Sequence, residues 1–228
     1  QRKEELKTYF ESKTAEKLIT ERNNIIRLVD NRGYATTTSV NNTVNEKADE
    51  FSRQISSVNS RINDIKVDGI NLFKNTKDFG GDWRDKNSWS EDGTYQDFKV
   101  YKRTGVDYKI SQKIPVDPST YYTLSAYLKR SIQGRVNQSG ACHKDNKVVD
   151  WAQSFVDVGT EWKRYSYTFK TTPETNFVQP GFELKDSNVT LWICGIKLEK
   201  GNVATDWTPA PEDTETYIDS KINQKANE

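Results

Sequence analysis

The sequence is poor in the residues from which most catalytic and metal sites are built. It has one histidine, His143, and two cysteines, Cys142 and Cys194, in 228 residues. A single histidine excludes a zinc site with several histidine ligands, and none of the HExxH, GxxxxGK(S/T), GxSxG or CxxC patterns occurs. Cys142 and His143 are adjacent, so on an extended strand they point to opposite faces and form no catalytic dyad. Carboxylates are numerous, but none stands out as half of an acid–base pair, and we predict that the chain is not an enzyme.

The chain also lacks an excess of one charge and a long apolar run. Its 34 basic and 33 acidic residues nearly cancel, which leaves no electrostatic footprint for nucleic acid. No segment approaches the ~20 apolar residues of a membrane-spanning helix, and we find no signal peptide. We therefore expect neither nucleic acid nor a membrane as a partner. Two cysteines are too few for a disulfide framework, so we expect buried free thiols, with a disulfide between them as the alternative.

The residues that are present divide the chain into a helical part and a β-rich part. All six tryptophans lie at or after Trp83, and all six prolines lie at or after Pro115. The hydrophobic fraction of 33% is low for one globule, which indicates that part of the chain is elongated and solvated. We predict an N-terminal stalk helix over residues 1–32, a linker over 33–38 and a coiled coil over 39–68.

The second helix carries a heptad pattern and has Ser39 as a plausible N-cap. Its apolar residues follow one another at alternating spacings of four and three, which is a narrower stripe than a helix docked on a domain usually shows. β-Branched residues at both core positions favour three strands, and we predict a homotrimer, with a docked amphipathic helix as the alternative. The predicted core residues are Val44, Ala48, Phe51, Ile55, Val58, Ile62 and Ile65.

Residues 69–211 show a period of two with turn residues between the runs, which indicates about nine short antiparallel strands. Asn71–Asn75, Tyr121–Arg130 and Asn188–Leu198 are examples. Strands that alternate with helices are absent, so we do not expect a doubly wound fold. The predicted fold class is mainly β, an antiparallel jelly-roll sandwich flanked by helical coiled-coil extensions. Residues 212–228 are predicted to begin a C-terminal stalk helix.

Aromatic residues in polar surroundings suggest a binding role. A saccharide presents apolar C–H faces and a rim of hydroxyls, so it is bound by an exposed aromatic ring with amide and charged groups beside it. The alternative for each aromatic is ordinary packing in the core or at its rim. The predicted carbohydrate-binding residues are Trp89, Tyr127 and Trp151, with Asn137, His143 and Arg135 as polar contacts.

Five stretches carry a family resemblance. Asn71–Asn75, Val116–Tyr127 and Glu161–Phe169 resemble the jelly-roll carbohydrate-binding modules of tail proteins from phages of Gram-positive bacteria. Leu198–Pro211 is the most specific match, because it is similar to the ending that such modules share in baseplate, tail-tip and tail-fibre proteins. Gly33-Tyr34 before a coiled coil also resembles their stalks.

The resemblance implies a homotrimeric virion component that is assembled in the bacterial cytoplasm, with other tail or baseplate proteins as partners. It implies binding of host cell-wall polysaccharide or teichoic acid. No motif requires a cofactor, but related modules often carry a structural calcium ion, for which Asp78 and Asp206 are the nearest acidic residues. Two alternatives remain open: an architectural spacer or docking domain that binds no sugar, and an accessory module of a wall-degrading enzyme.

Overall fold

The computed structural model describes residues 2–32, 37–106 and 109–214, which form two compact units, 1–65 and 66–228. The first unit is a hairpin of two helices, α1 (Arg2–Arg32) and α2 (Thr37–Asp64). Lys17 of α1 lies 5.5 Å from the Phe51 ring of α2, and Phe10 of α1 lines one cavity together with Val58 of α2. An earlier residue of α1 thus meets a later residue of α2, so the two helices run antiparallel. Neither described helix has an apolar stretch long enough to cross a bilayer.

The hairpin revises the heptad prediction in three ways. α2 begins at Thr37, two residues before the predicted Ser39, and residues 33–36 of the predicted linker lie outside the described residues. Ile65 lies one residue beyond the end of the helix at Asp64, and its side chain is exposed in the single chain, so its place in a trimer core stays a prediction. Phe51 and Ile62 are buried, while Val44, Ala48, Ile55 and Val58 are half-buried. The apolar stripe of α2 therefore packs on α1 of the same chain.

The second unit is a sandwich of two antiparallel sheets, as predicted. One sheet has the order β1-β2-β10-β4-β8, and the other has the order β3-β9-β5, with β6 and β7 both paired to the far edge of β5. The strands are β1 (Ser90–Tyr95), β2 (Phe98–Thr104), β3 (Ile114–Pro115), β4 (Tyr121–Arg130), β5 (Gly134–Lys144), β6 (Lys147–Asp150), β7 (Gln153–Val158), β8 (Lys163–Lys170), β9 (Phe177–Glu183) and β10 (Thr190–Lys200).

Side-chain alternation builds the core between the sheets. The even-numbered apolar positions of β4, from Tyr122 to Leu128, face the core, as expected from a period of two. A bulge in β10 between Cys194 and Lys197 changes the alternation, so that both Ile193 and Ile196 enter the core. Cys142 and Cys194 are both free and buried, which confirms the prediction of free thiols.

The two ends of the sandwich are joined to each other. Val67 forms an isolated antiparallel bridge with Gly201, and the Lys66 N–H donates to Asn202 Oδ1 at 2.8 Å. Gly201 has φ +129° and lies so close to Lys66 that a Cβ would clash with the Lys66 carbonyl oxygen. Glycine is therefore required where the last strand meets the entering chain.

The prediction of a strand at Asn71–Asn75 is wrong. This segment is a series of bends and turns held by the buried Asn71 amide, which donates to Thr76 Oγ1 and to the Thr208 carbonyl. Trp207 reinforces the same contact, because its indole N–H donates to Thr76 Oγ1 at 2.9 Å. Residues 211–214 are helical, so the predicted C-terminal helix over 212–228 begins one residue early, and its residues 215–228 lie outside the described residues.

Candidate functional site

The outer face of the second sheet gathers most of the predicted site residues. Val136 and Cys142 of β5 face the core, so the alternate residues Arg135, Asn137, Ser139, Ala141 and His143 face outward. β9 continues this face, because Asn137 pairs with Glu183, Ser139 with Gly181, Ala141 with Gln179 and His143 with Phe177. The register of the two strands thus places a row of polar groups beside one another.

A cavity of about 250 Å³ opens on this face. Trp151, in the short connection between β6 and β7, lines it and has 56% of its surface exposed. The Lys109 ammonium lies 5.8 Å from the centroid of the Trp151 ring, at the distance of a cation–π contact. An open aromatic face and a cation therefore share one cavity wall. The other lining residues are Arg84, Asp85, Ser111, Ala141, His143, Val148, Gln179 and Glu183.

Lys109 is buried against the sheet because Gly181 has no side chain. A Cβ on Gly181 would lie 2.8 Å from the Lys109 Cβ, so a larger residue there would displace the lysine. The ammonium donates to Ser139 Oγ at 3.0 Å and lies 3.9 Å from Glu183 Oε1. Burial lowers the pKa of Lys109 to about 8, although the Glu183 carboxylate opposes the shift. At neutral pH the cavity holds a protonated lysine.

Glu183 supplies the matching anion. Burial favours its neutral form, but hydrogen bonds from Lys185 and Asn137 outweigh that effect and lower the pKa of the Glu183 carboxyl. The Asn137 amide donates to Glu183 Oε2 at 3.0 Å and to Gln153 Oε1 at 3.4 Å. The cavity therefore combines a fixed cationic donor with a fixed anionic acceptor.

Two polar atoms beside the cavity have unused hydrogen-bonding capacity. His143 Nε2 and Ser111 Oγ are buried and find no hydrogen-bond partner among the described residues. The His143 ring stacks on Phe177, with 4.5 Å between the ring centroids. Burial, together with the positive charges of Lys109, Arg84 and Lys113, lowers the pKa of His143, so it is neutral at pH 7. Such unsatisfied buried groups are uncommon and suit a site that takes up a polar ligand or water.

A second aromatic group lies on the same face and was missed by the sequence reasoning. Phe155 of β7 pairs with Asn137, is exposed, and carries the Arg135 guanidinium 4.2 Å from its ring centroid. Phe155 and Arg135 line a second cavity, of about 450 Å³. The sequence pattern could have identified Phe155, because it lies between the polar residues Gln153 and Asp157 on the outward face of the strand.

Two predicted site residues do not belong to this face. The expectation that Trp89 is exposed is wrong, since a 3-10 turn at Lys86–Ser88 brings its side chain into the core with 6% exposure. Tyr127 lies on β4 of the other sheet, where it packs against Tyr95 and Phe98. Arg135, Asn137, His143 and Trp151 are the four that the fold brings to one surface.

The structural calcium ion, with Asp78 and Asp206 as the nearest acidic residues, stays a prediction. Asp78 Oδ1 accepts a hydrogen bond from the Gly80 N–H of its own turn, and the Asp206 residue is exposed. Within residues 2–32, 37–106 and 109–214, no three His, Cys, Asp or Glu side chains are grouped as metal ligands.

Comparison with known proteins gives weak likenesses. No protein-family profile and no curated protein match the chain. Among solved structures, the CBM22-1 xylan-binding domain from Paenibacillus barcinonensis Xyn10C has 13% identity and a TM-score of 0.45, over 61% of this chain and 99% of that one. TmCBM61 in complex with β-1,4-galactotriose has 15% identity and a TM-score of 0.39, over 57% and 98%. The enzymatically active domain of tailspike protein 4 from bacteriophage CBA120 has 14% identity and a TM-score of 0.44, over 57% and 21%.

Proposed function

We propose that the sandwich binds a saccharide, without catalysis, on the outer face of its second sheet. The observation that carries the proposal is the exposed Trp151 ring in one cavity with the buried Lys109–Glu183 pair. A pyranose ring can place its C–H face on the indole while its hydroxyls meet the charged pair. The cavity offers a donor and an acceptor a few ångströms apart, which suits neighbouring hydroxyl groups.

The hydrogen-bonding inventory of the cavity supports a polyhydroxylated ligand. A lysine ammonium has three donors, and the Ser139 hydroxyl accepts one of those of Lys109. The Glu183 carboxylate accepts from Asn137 and Lys185 and has further lone pairs available. His143 Nε2 and Ser111 Oγ add unsatisfied polar atoms at the cavity edge. A ligand with several hydroxyls would use these groups more fully than an apolar one.

The test is binding of the full chain to a panel of bacterial wall polysaccharides and teichoic acids, followed by calorimetry on any hit. We expect Trp151→Ala to weaken binding by about tenfold or more, because loss of a central aromatic contact typically costs about 2 kcal/mol. Tyr121→Ala is the matched control, since Tyr121 is an exposed aromatic on β4 of the other sheet. The proposal is contradicted if the chain binds no member of the panel, or if both variants lose affinity equally.

We further propose that the chain is an adhesive and structural part of a phage tail fibre or baseplate protein, acting in the virion as a homotrimer. The resemblance of Leu198–Pro211 to the ending of tail-protein modules supports this setting. The exposed apolar side chains Tyr9, Ile19 and Leu28 of α1 support self-association. Sedimentation equilibrium is expected to give three times the chain mass of 26.3 kDa. A value of 26.3 kDa contradicts the trimer.

A docking role without sugar binding is the second candidate. It is favoured by a half-buried aromatic cluster on the outside of the first sheet, where Lys129 lies 5.3 Å from the Trp162 ring and 4.8 Å from the Trp192 ring. Aromatic and cationic side chains of this kind are enriched at protein interfaces. Trp162→Ala should then impair particle assembly, while Trp151→Ala should leave assembly intact and reduce attachment to cells.

A further inference from the structure

A buried lysine closes the sandwich at the end where the chain enters it. Lys197 of β10 is fully buried, with 0% exposure. Its ammonium donates to the Gly69 carbonyl at 2.8 Å, to Thr205 Oγ1 at 2.7 Å and to the Asp206 carbonyl at 2.8 Å. A carboxylate oxygen of Glu199, also fully buried, lies 3.7 Å away. Each of these neighbours of the ammonium is an oxygen atom.

The atoms of this group, the oxygen cage, also have hydrogen-bond partners other than the lysine. Glu199 follows Lys197 by two residues on β10, so the two side chains leave the strand on the same face. Both carboxylate oxygens of Glu199 accept from Thr205, one from its N–H at 2.8 Å and one from its hydroxyl at 2.7 Å. The Thr208 hydroxyl also donates to the Gly69 carbonyl at 3.1 Å. The cage thus joins the entering segment, the last strand and the closing segment.

The geometry requires a cation inside the cage. Three oxygen acceptors each receive a hydrogen bond from Lys197 Nζ, and only the protonated amine has three donors. Burial lowers the pKa of Lys197, and the neighbouring Glu199 carboxylate opposes that shift. Without a positive charge, the buried carboxylate and two carbonyls would lose their compensation.

We propose that Lys197 is a built-in cation, which occupies an oxygen cage of the kind that could otherwise hold Ca²⁺, so that the sandwich closes without a metal ion. Two carbonyls, a hydroxyl and a carboxylate are hard oxygen ligands of the type that calcium prefers. In this chain the lysine side chain fills the space and supplies the charge. Shortening it while adding a carboxylate should convert the cage into a calcium site.

The experiment compares the thermal unfolding of the full-length wild type with that of Lys197→Asp and Lys197→Met, each in EDTA and in millimolar CaCl₂ at matched ionic strength. The wild-type Tm is expected to be the same in both buffers. Lys197→Asp should be strongly destabilised in EDTA, because it places two carboxylates in one buried site. At a calcium concentration about 100 times its Kd, its Tm should rise by roughly 5 to 10 °C. Lys197→Met keeps the length of the side chain and should not respond to calcium.

A wild-type Tm that falls in EDTA overturns the proposal, because closure would then depend on a metal ion. A calcium response equal in Lys197→Asp and Lys197→Met also overturns it, because calcium would be acting elsewhere. If Lys197→Asp does not fold in EDTA, refolding is followed by tryptophan fluorescence during a calcium titration, with Lys197→Ser as a second variant. If calcium stabilises neither Lys197→Asp nor Lys197→Ser, the proposal that the oxygen cage can hold calcium is wrong.

Discussion

The Lys109 ammonium lies 3.9 Å from a carboxylate oxygen of Glu183, and both side chains are largely buried in the cavity that Trp151 lines. The pair is not a simple closed ion pair, because Lys185 and Asn137 also contact the carboxylate. The pKa of Lys109 therefore depends on the Glu183 carboxylate and on the positive charge of Lys185 beside it. Substitution of either residue should change that pKa.

The pKa of Lys109 should change in opposite directions in two variants. Glu183→Gln removes the carboxylate that favours the ammonium, so the pKa should fall below the wild-type value of about 8. Lys185→Gln removes a positive charge that disfavours the ammonium, so the pKa should rise. Nitrogen-15 NMR titration of the Lys109 ammonium measures both shifts. Equal pKa values in the three proteins would contradict the electrostatic description of the cavity.

Saccharide binding should weaken as the pH rises from 7 to 9. Lys109 has a pKa of about 8, so it is mostly protonated at the lower pH and mostly neutral at the higher one. Deprotonation removes a charge-assisted hydrogen bond, which is roughly twice as strong as a neutral one. Calorimetry should show a several-fold loss of affinity in the wild type and a flat profile in Lys109→Met. Parallel pH profiles would show that Lys109 does not contact the ligand.

Trp89 and Trp151 should respond in opposite ways to truncation. Trp89 is in the core, and replacement of a buried tryptophan by alanine typically costs about 3–5 kcal/mol of unfolding free energy. Trp151 is mostly exposed, so Trp151→Ala should change stability by less than about 0.5 kcal/mol. Urea unfolding followed by circular dichroism measures both. A large loss of stability in Trp151→Ala would mean that its ring is structural, and binding data from that variant would need a different control.

Both cysteine thiols should be inert in the folded protein. Burial raises the pKa of Cys194 to about 12 and also raises the pKa of Cys142, and the thiolate is the reactive form. A thiol reagent such as DTNB at pH 8 should label fewer than about 0.1 thiols per native chain. Two thiols should appear after unfolding in guanidinium without a reductant. Absence of label in the unfolded chain would instead indicate a disulfide.

The sequence predicted the elements of the sandwich better than the contacts between them. The bounds of β4 at Tyr121 and Arg130 agree with the prediction, because a period of two over ten residues is a local signal. Asn71 misled the prediction, since its amide bonds to groups more than 100 residues away along the chain. Likewise the hairpin of α1 and α2 gives the heptad stripe a partner within the chain, which a repeat in one helix cannot reveal.

The candidate site was predicted in part for the same reason. Trp151 was identified because it is an aromatic residue between polar neighbours. Lys109 was missed, because its burial depends on Gly181, a residue that is distant in sequence and lacks the side chain that would displace it. Trp89 also has polar sequence neighbours, but the positive φ of Asp85 and the turn after it direct the chain inward. Local composition therefore identified an aromatic surface but not the residues that hold it.

The bridge between Val67 and Gly201 holds the first and last residues of the sandwich side by side. Because the chain enters and leaves at neighbouring points, the intervening 133 residues, from Asp68 to Lys200, form a cassette on a closed loop. Such a cassette can be exchanged for another of different size without altering the spacing of the segments that flank it.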